Sequence, residues 1–157
     1  MQPMSDWGST NRVFAHVALV EGVAIEGELH LLTRPAYPPG PETPLEMLNR
    51  PDAFFALSLP GGGVAFFPKS RVVEVSCRGE VPLFSDPDRE SAAKHVDLEV
   101  VLSGDRQHRG RATVELPPQR ARALDFVNAP GSFFALWSDG ATRYINKSHV
   151  QLIRPLD

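Results

Sequence analysis

The chain has 157 residues, 42% apolar and 22% charged, with a net charge of −3 and one cysteine. That balance fits one ordinary domain or two very small ones, and it excludes a low-complexity disordered chain. No apolar run approaches a bilayer span, Met1 to Thr10 lacks the basic and apolar regions of a secretory leader, and a lone Cys77 excludes a disulfide framework. The expectation is a soluble cytoplasmic protein. The 13 arginines against 3 lysines hint at a GC-rich bacterial genome.

In chain order, Val13 to Val20 and Val23 to Leu32 read as a strand hairpin turning at Glu21-Gly22. Arg34 to Pro44 is a proline-rich loop whose Pro35/Pro38 and Pro38/Pro41 spacings also suit a polyproline ligand. Leu45 to Leu48 is a helical turn. Phe54 to Leu59, the Gly61-Gly62-Gly63 turn, Val64 to Phe67 and Arg71 to Ser76 add three strands. Gly61 to Gly63 joins strands and precedes no helix, so it is not a phosphate loop. A polar stretch over 78–93 with two prolines reads as a linker.

The pattern then starts again. Val96, Leu98, Val100 and Leu102 alternate with polar residues, as do Gly110, Ala112, Val114 and Leu116 after the Ser103-Gly104-Asp105 turn. Arg120 to Val127 is a short helix, and Asn128 is suited to a left-handed cap. Phe133 to Trp137, the Asp139-Gly140 turn, Thr142 to Ile145, a tight turn at Asn146-Lys147-Ser148 and His149 to Ile153 close the set.

The two halves are a duplication. Residues 45–57, LEMLNRPDAFFAL, and 124–136, LDFVNAPGSFFAL, are identical at seven of thirteen positions. Lys69-Ser70 recurs as Lys147-Ser148, and Glu21-Gly22 with Gly27 matches Ser103-Gly104 with Gly110. The predicted architecture is all-β. Two tandem homologous five-stranded units, 13–77 and 94–155, each carry a short helical turn, and each is a small barrel.

Val20-Glu21-Gly22 followed by Gly27, then Leu48-Asn49, then Lys69-Ser70-Arg71-Val72-Val73, gives the unit an order that resembles SH3-like and Sm-like small barrels. The Arg-Gly element of the Sm family's RNA-contacting loops is absent. The resemblance therefore implies a fold and no activity.

No catalytic constellation, cofactor motif or metal-ligand spacing emerges around the five histidines. A PilZ-like cyclic-dinucleotide motif is not met either, because Gln151 stands where that pattern needs glycine. The expected function is a non-enzymatic protein–protein interaction module, a bacterial adaptor or regulatory protein acting through barrel faces, without cofactor or membrane and able to form a homo-oligomer.

In the repeated Phe-Phe pairs one ring faces the core and one faces away. Phe54 and Phe133, with Trp137, are therefore candidate partner contacts. Glu26 and Glu28 in one unit stand opposite in charge to Arg109 and Arg111 in the other, so those faces are candidates for binding each other. Asn49 and Asn128 are read as local backbone caps. The alternative is a single-stranded RNA or DNA binder that uses Arg106, Arg109, Arg111, Arg120 and Arg122, with Tyr144, Phe133 or Trp137 as stacking surfaces.

Overall fold

Apolar alternation becomes strands throughout a computed structural model that describes residues 11–34, 40–79, 94–114 and 122–156. The elements are β1 (Asn11–Leu19), β2 (Ala24–Leu31), the two-residue β3 (Thr33–Arg34) and β4 (Gly40–Pro41), α1 (Pro44–Asn49), β5 (Phe54–Ser58), β6 (Val64–Pro68) and β7 (Val72–Arg78). The second half supplies β8 (Lys94–Leu102), β9 (Gln107–Val114), α2 (Ala123–Val127), β10 (Phe133–Ser138), β11 (Ala141–Asn146) and β12 (Val150–Pro155). Residues 35–39 of the proline-rich loop, 80–93 of the expected linker, and Arg120 lie outside the described residues.

The turn β1–β2 holds Glu21 at φ 67° and Gly22 at φ 77°, and the turn β8–β9 holds Gly104 at φ 78° and Asp105 at φ 63°. Backbone conformation thus aligns Glu21 with Gly104, one position away from the alignment read from sequence. The duplicated Gly27 and Gly110 answer a close approach. A Cβ on Gly27 would collide with the Ser58 carbonyl, and one on Gly110 with the Trp137 carbonyl.

Helix α1 is well capped. Thr43 and Glu46 form a reciprocal capping box and Pro44 opens the first turn. Helix α2 has no side-chain cap, and an Arg122–Asp125 ion pair at 2.9 Å spans its first turn. Asn128 is right-handed (φ −88°, ψ −2°) rather than left-handed as expected.

Ten strands form one antiparallel sheet in the order β12-β8-β9-β10-β11-β7-β1-β2-β5-β6. The first five repeat the last five element for element, so the duplication is visible in topology. The two sets join at a seam, β11 against β7. Among the described residues the sheet is open, with β12 and β6 as its two edges, and these pairings do not close the two small barrels expected from sequence.

Two buried clusters lie along the sheet. One gathers Val17, Leu29, Met47, Leu48, Leu57 and Val75, and the other Leu98, Val100, Leu102, Leu136 and Ile145. Each borrows across the seam. The first takes in Phe133, Ala135 and Tyr144 from the second half, and the second takes in Val73 from the first.

Candidate interaction site

The seam shows how one half recognises the other. Its register runs from Ala141 opposite Arg78 to Ile145 opposite Glu74. On β10 and β11, Phe133, Ala135 and Tyr144 point away from their own core and enter the core of the first half. Asn49, at the end of α1, clamps the start of β10. It donates Nδ2–H to the Phe133 carbonyl at 3.2 Å and accepts from the Phe133 N–H at 2.8 Å. Asn146 donates to the carbonyls of Lys69 and Val72 at 3.1 and 2.9 Å. Asn49 is therefore a bridge between halves. The sequence reading of a local cap is corrected, because the backbone it satisfies lies in the other repeat.

Lys69 donates Nζ–H to the carbonyls of Met47 and Arg50 at the end of α1, and Lys147 donates to the Ala129 carbonyl after α2. Such lysines satisfy helix-end carbonyls and complement the helix dipole. Burial lowers the pKa of both, reinforced at Lys69 by the charge of Arg50. These lysines floor an open cleft of about 690 Å³ that runs past Asn49, Gly131 and Ser148. Two of the three Lys69 ammonium protons and one of those on Lys147 are engaged by these carbonyls, and the cleft is lined by residues of both halves.

A charged cluster lies beside the seam. Glu74 on β7 is buried, and it meets His108 Nε2 at 2.6 Å, Arg143 at 3.2 Å and Arg106 at 3.7 Å. Burial alone would raise its pKa. The His108 hydrogen bond and the charges of His108, Arg106 and Arg143 outweigh burial and hold it below the ordinary carboxylate range. Cys77, also buried, is pushed up to about 11 by burial and is no nucleophile at neutral pH.

At the β6 end of the sheet the equivalent surface is open. Phe54 is 57% exposed and Phe66 62% exposed. They are the counterparts of Phe133 and Tyr144, which are 2% and 0% exposed. Phe54, Phe66, Ala56 and Leu32 line a shallow groove of about 260 Å³ with His30 and Arg50. His30 Nε2 lies 2.6 Å from Ser58 Oγ, and burial, then Arg12, lowers its pKa.

The residues singled out from sequence are dispersed. Phe54 is on the exposed face, Phe133 is buried in the seam, and Trp137 is half-buried on β10. Glu26 pairs with His16 at 3.2 Å, Glu28 with Arg12 at 3.7 Å, and Arg109 with Glu99 at 3.2 Å. Arg111 stands opposite Asp97 and Trp137. The acidic and basic faces do not meet within the chain, because β2 lies between β1 and β5 and β9 between β8 and β10.

The arginine stripe is similarly divided: Arg106 serves Glu74, Arg109 serves Glu99 and Arg122 serves Asp125. Tyr144 is fully buried and presents no stacking surface. Sequence reasoning missed Phe66, Glu74 and the bridging of Asn49. The signal for Phe66 was available in its alignment with Tyr144.

Among the described residues no group of three or more His, Cys, Asp or Glu side chains is placed to hold a metal ion, and no helix is long and apolar enough to cross a membrane. Comparison with known proteins gives no match: no family model, no curated protein and no solved structure matches this chain.

Proposed function

We propose that the protein is a non-enzymatic protein–protein interaction module, a cytoplasmic bacterial adaptor or regulatory protein, that binds through the outer face of β5 and β6. We read each half as a five-stranded unit with the strand order of SH3-like and Sm-like small barrels, left open in this sheet and joined to the other edge to edge. One observation carries the reading. Phe54 and Phe66 stand exposed side by side, while their counterparts Phe133 and Tyr144 are buried by a protein surface in the same molecule. Exposed aromatic pairs on a sheet face are strong candidates for interface anchors. The nucleic-acid reading has less support, since three of its arginines are engaged by carboxylates within the chain.

The test is capture from nuclease-treated lysate of the native cell with the wild-type chain and with Phe66→Asp. A stoichiometric protein held by the wild type and lost by the variant is the expected result. Capture of nucleic acid that disappears with nuclease, with no protein dependent on Phe66, would contradict it.

A further inference from the structure

We propose that the cleft at the seam is a binding site for a small organic phosphate, whose anionic group is held by the ammonium groups of Lys69 and Lys147. Such a site does not depend on what the face of β5 and β6 binds.

The two lysines reach one cleft because the repeats meet there. Each Lys-Ser pair forms a tight helical turn, Lys69–Arg71 after β6 and Lys147–His149 after β11. Strand β11 pairs with β7, so the two turns lie side by side. They are bonded across the seam. Asn146 donates Nδ2–H to the Lys69 carbonyl at 3.1 Å, and His149 Nε2 lies 2.8 Å from the Ser70 carbonyl. Lys69 and Lys147 thus line the same open cleft of about 690 Å³, and every residue lining it is among the described residues.

The charge there is unbalanced. Lys69 is 9% exposed and Lys147 is half-buried, yet among the described residues no carboxylate forms an ion pair with either. Glu42 and Asp52 act on Lys69 only from a distance, and Arg50 pairs with both at 3.4 Å. Burial alone lowers the Lys147 pKa. A buried cation is costly without a counter-charge. The helix-end carbonyls offer partial charges, and after those bonds one Lys69 proton and two Lys147 protons are left to donate. An anion in the cleft supplies the full opposite charge.

The lining sets the class of ligand. Ammonium groups are compact point charges that suit phosphate. Two of them on one anion favour a dianionic phosphate monoester over a single carboxylate. Ser70, exposed beside them, adds a hydroxyl donor. The Arg50 guanidinium is already engaged by two carboxylates, so recognition falls to the lysines. A bare phosphate leaves most of the cleft unfilled. Phe54, Pro51 and Pro68 form an apolar wall against which an organic part packs. A nucleic-acid strand needs a track of cations, and two lysines in one cleft do not make one.

The experiment uses the purified full-length chain. Phenyl phosphate, benzoate and a single-stranded oligonucleotide are titrated at constant ionic strength. Calorimetry gives the affinity and amide NMR the location. The variants are Lys147→Gln, which removes one cation, and Ser70→Asp, which puts an opposing charge at an exposed position and leaves the lysine–carbonyl bonds in place. Phenyl phosphate is expected to saturate one site, to shift the Ser70 and Ser148 amides, and to bind more tightly than benzoate. Each variant should weaken it about tenfold, the effect of losing or opposing one charge-assisted hydrogen bond. If Lys147→Gln does not fold, Ser70→Asp decides alone.

Absence of saturable phenyl phosphate binding overturns the site, as does binding that a folded variant leaves unchanged. Equal affinity for benzoate overturns the phosphate assignment. An oligonucleotide that shifts the same amides and displaces phenyl phosphate overturns it too, and puts a nucleic acid in the cleft. Capture through Phe66 tests the interaction reading separately, so either can fall without the other.

Discussion

The Tyr144 hydroxyl is buried without a hydrogen-bond partner among the described residues, and its counterpart in the first half is Phe66, which has no hydroxyl to satisfy. A buried unsatisfied hydroxyl costs stability, so Tyr144→Phe should stabilise the fold by about 1 kcal/mol in equilibrium denaturation. A loss of stability would mean that the hydroxyl is bonded. Glu74 behaves in the opposite sense. Glu74 is the buried member of its cluster while Arg106 is 42% exposed, so Glu74→Gln, which strands chiefly His108 and Arg143, should cost about 2 kcal/mol at neutral pH. Its folded-state pKa lies below the ordinary value of 4.5. The stability it contributes is therefore full above that value and is lost as pH falls through the lowered folded-state pKa. The variant should show a shallower loss of stability on acidification than wild type. An unchanged acid limb would remove Glu74 from the account.

At the level of elements, strand positions were legible because half-burial imposes a period of two. β8 and β9 follow the alternation of Val96 to Leu102 and of Gly110 to Val114 closely. What was not legible is what covers an outward side chain. The Phe-Phe pattern requires one ring to face out of each half, but alternation alone cannot say that Phe133 enters the neighbouring core while Phe54 stays open. The partner of Asn49 lies 84 residues away along the chain, and no local pattern encodes that. The arginine stripe misled because its carboxylate partners come from other elements. Asn49→Ala should destabilise the chain by about 2 kcal/mol, since the Phe133 N–H and carbonyl each lose a partner. Asn128→Ala should leave the unfolding free energy of the chain unchanged. Equal destabilisation by both would mean that Asn128 has a structural role within its own half. Gly110→Ala drives a methyl into the Trp137 carbonyl and should cost about 2 kcal/mol.

On the scale of the whole molecule, duplication sets two five-strand units side by side, and among the described residues the sheet ends in two unlike edges, β12 and β6. Long exposed edges invite pairing, and proteins either blunt them or use them. Here the two edge strands are short, five residues in β6 and six in β12, and each ends on a proline, Pro68 and Pro155. The most direct measurement is residue-resolved amide hydrogen exchange on the wild-type chain, concentrated and dilute. The account predicts that the Val75 and Tyr144 amides exchange slowly at both concentrations, because the seam they close lies within one chain. Fast exchange at Val75 and Tyr144 in the dilute chain would contradict it.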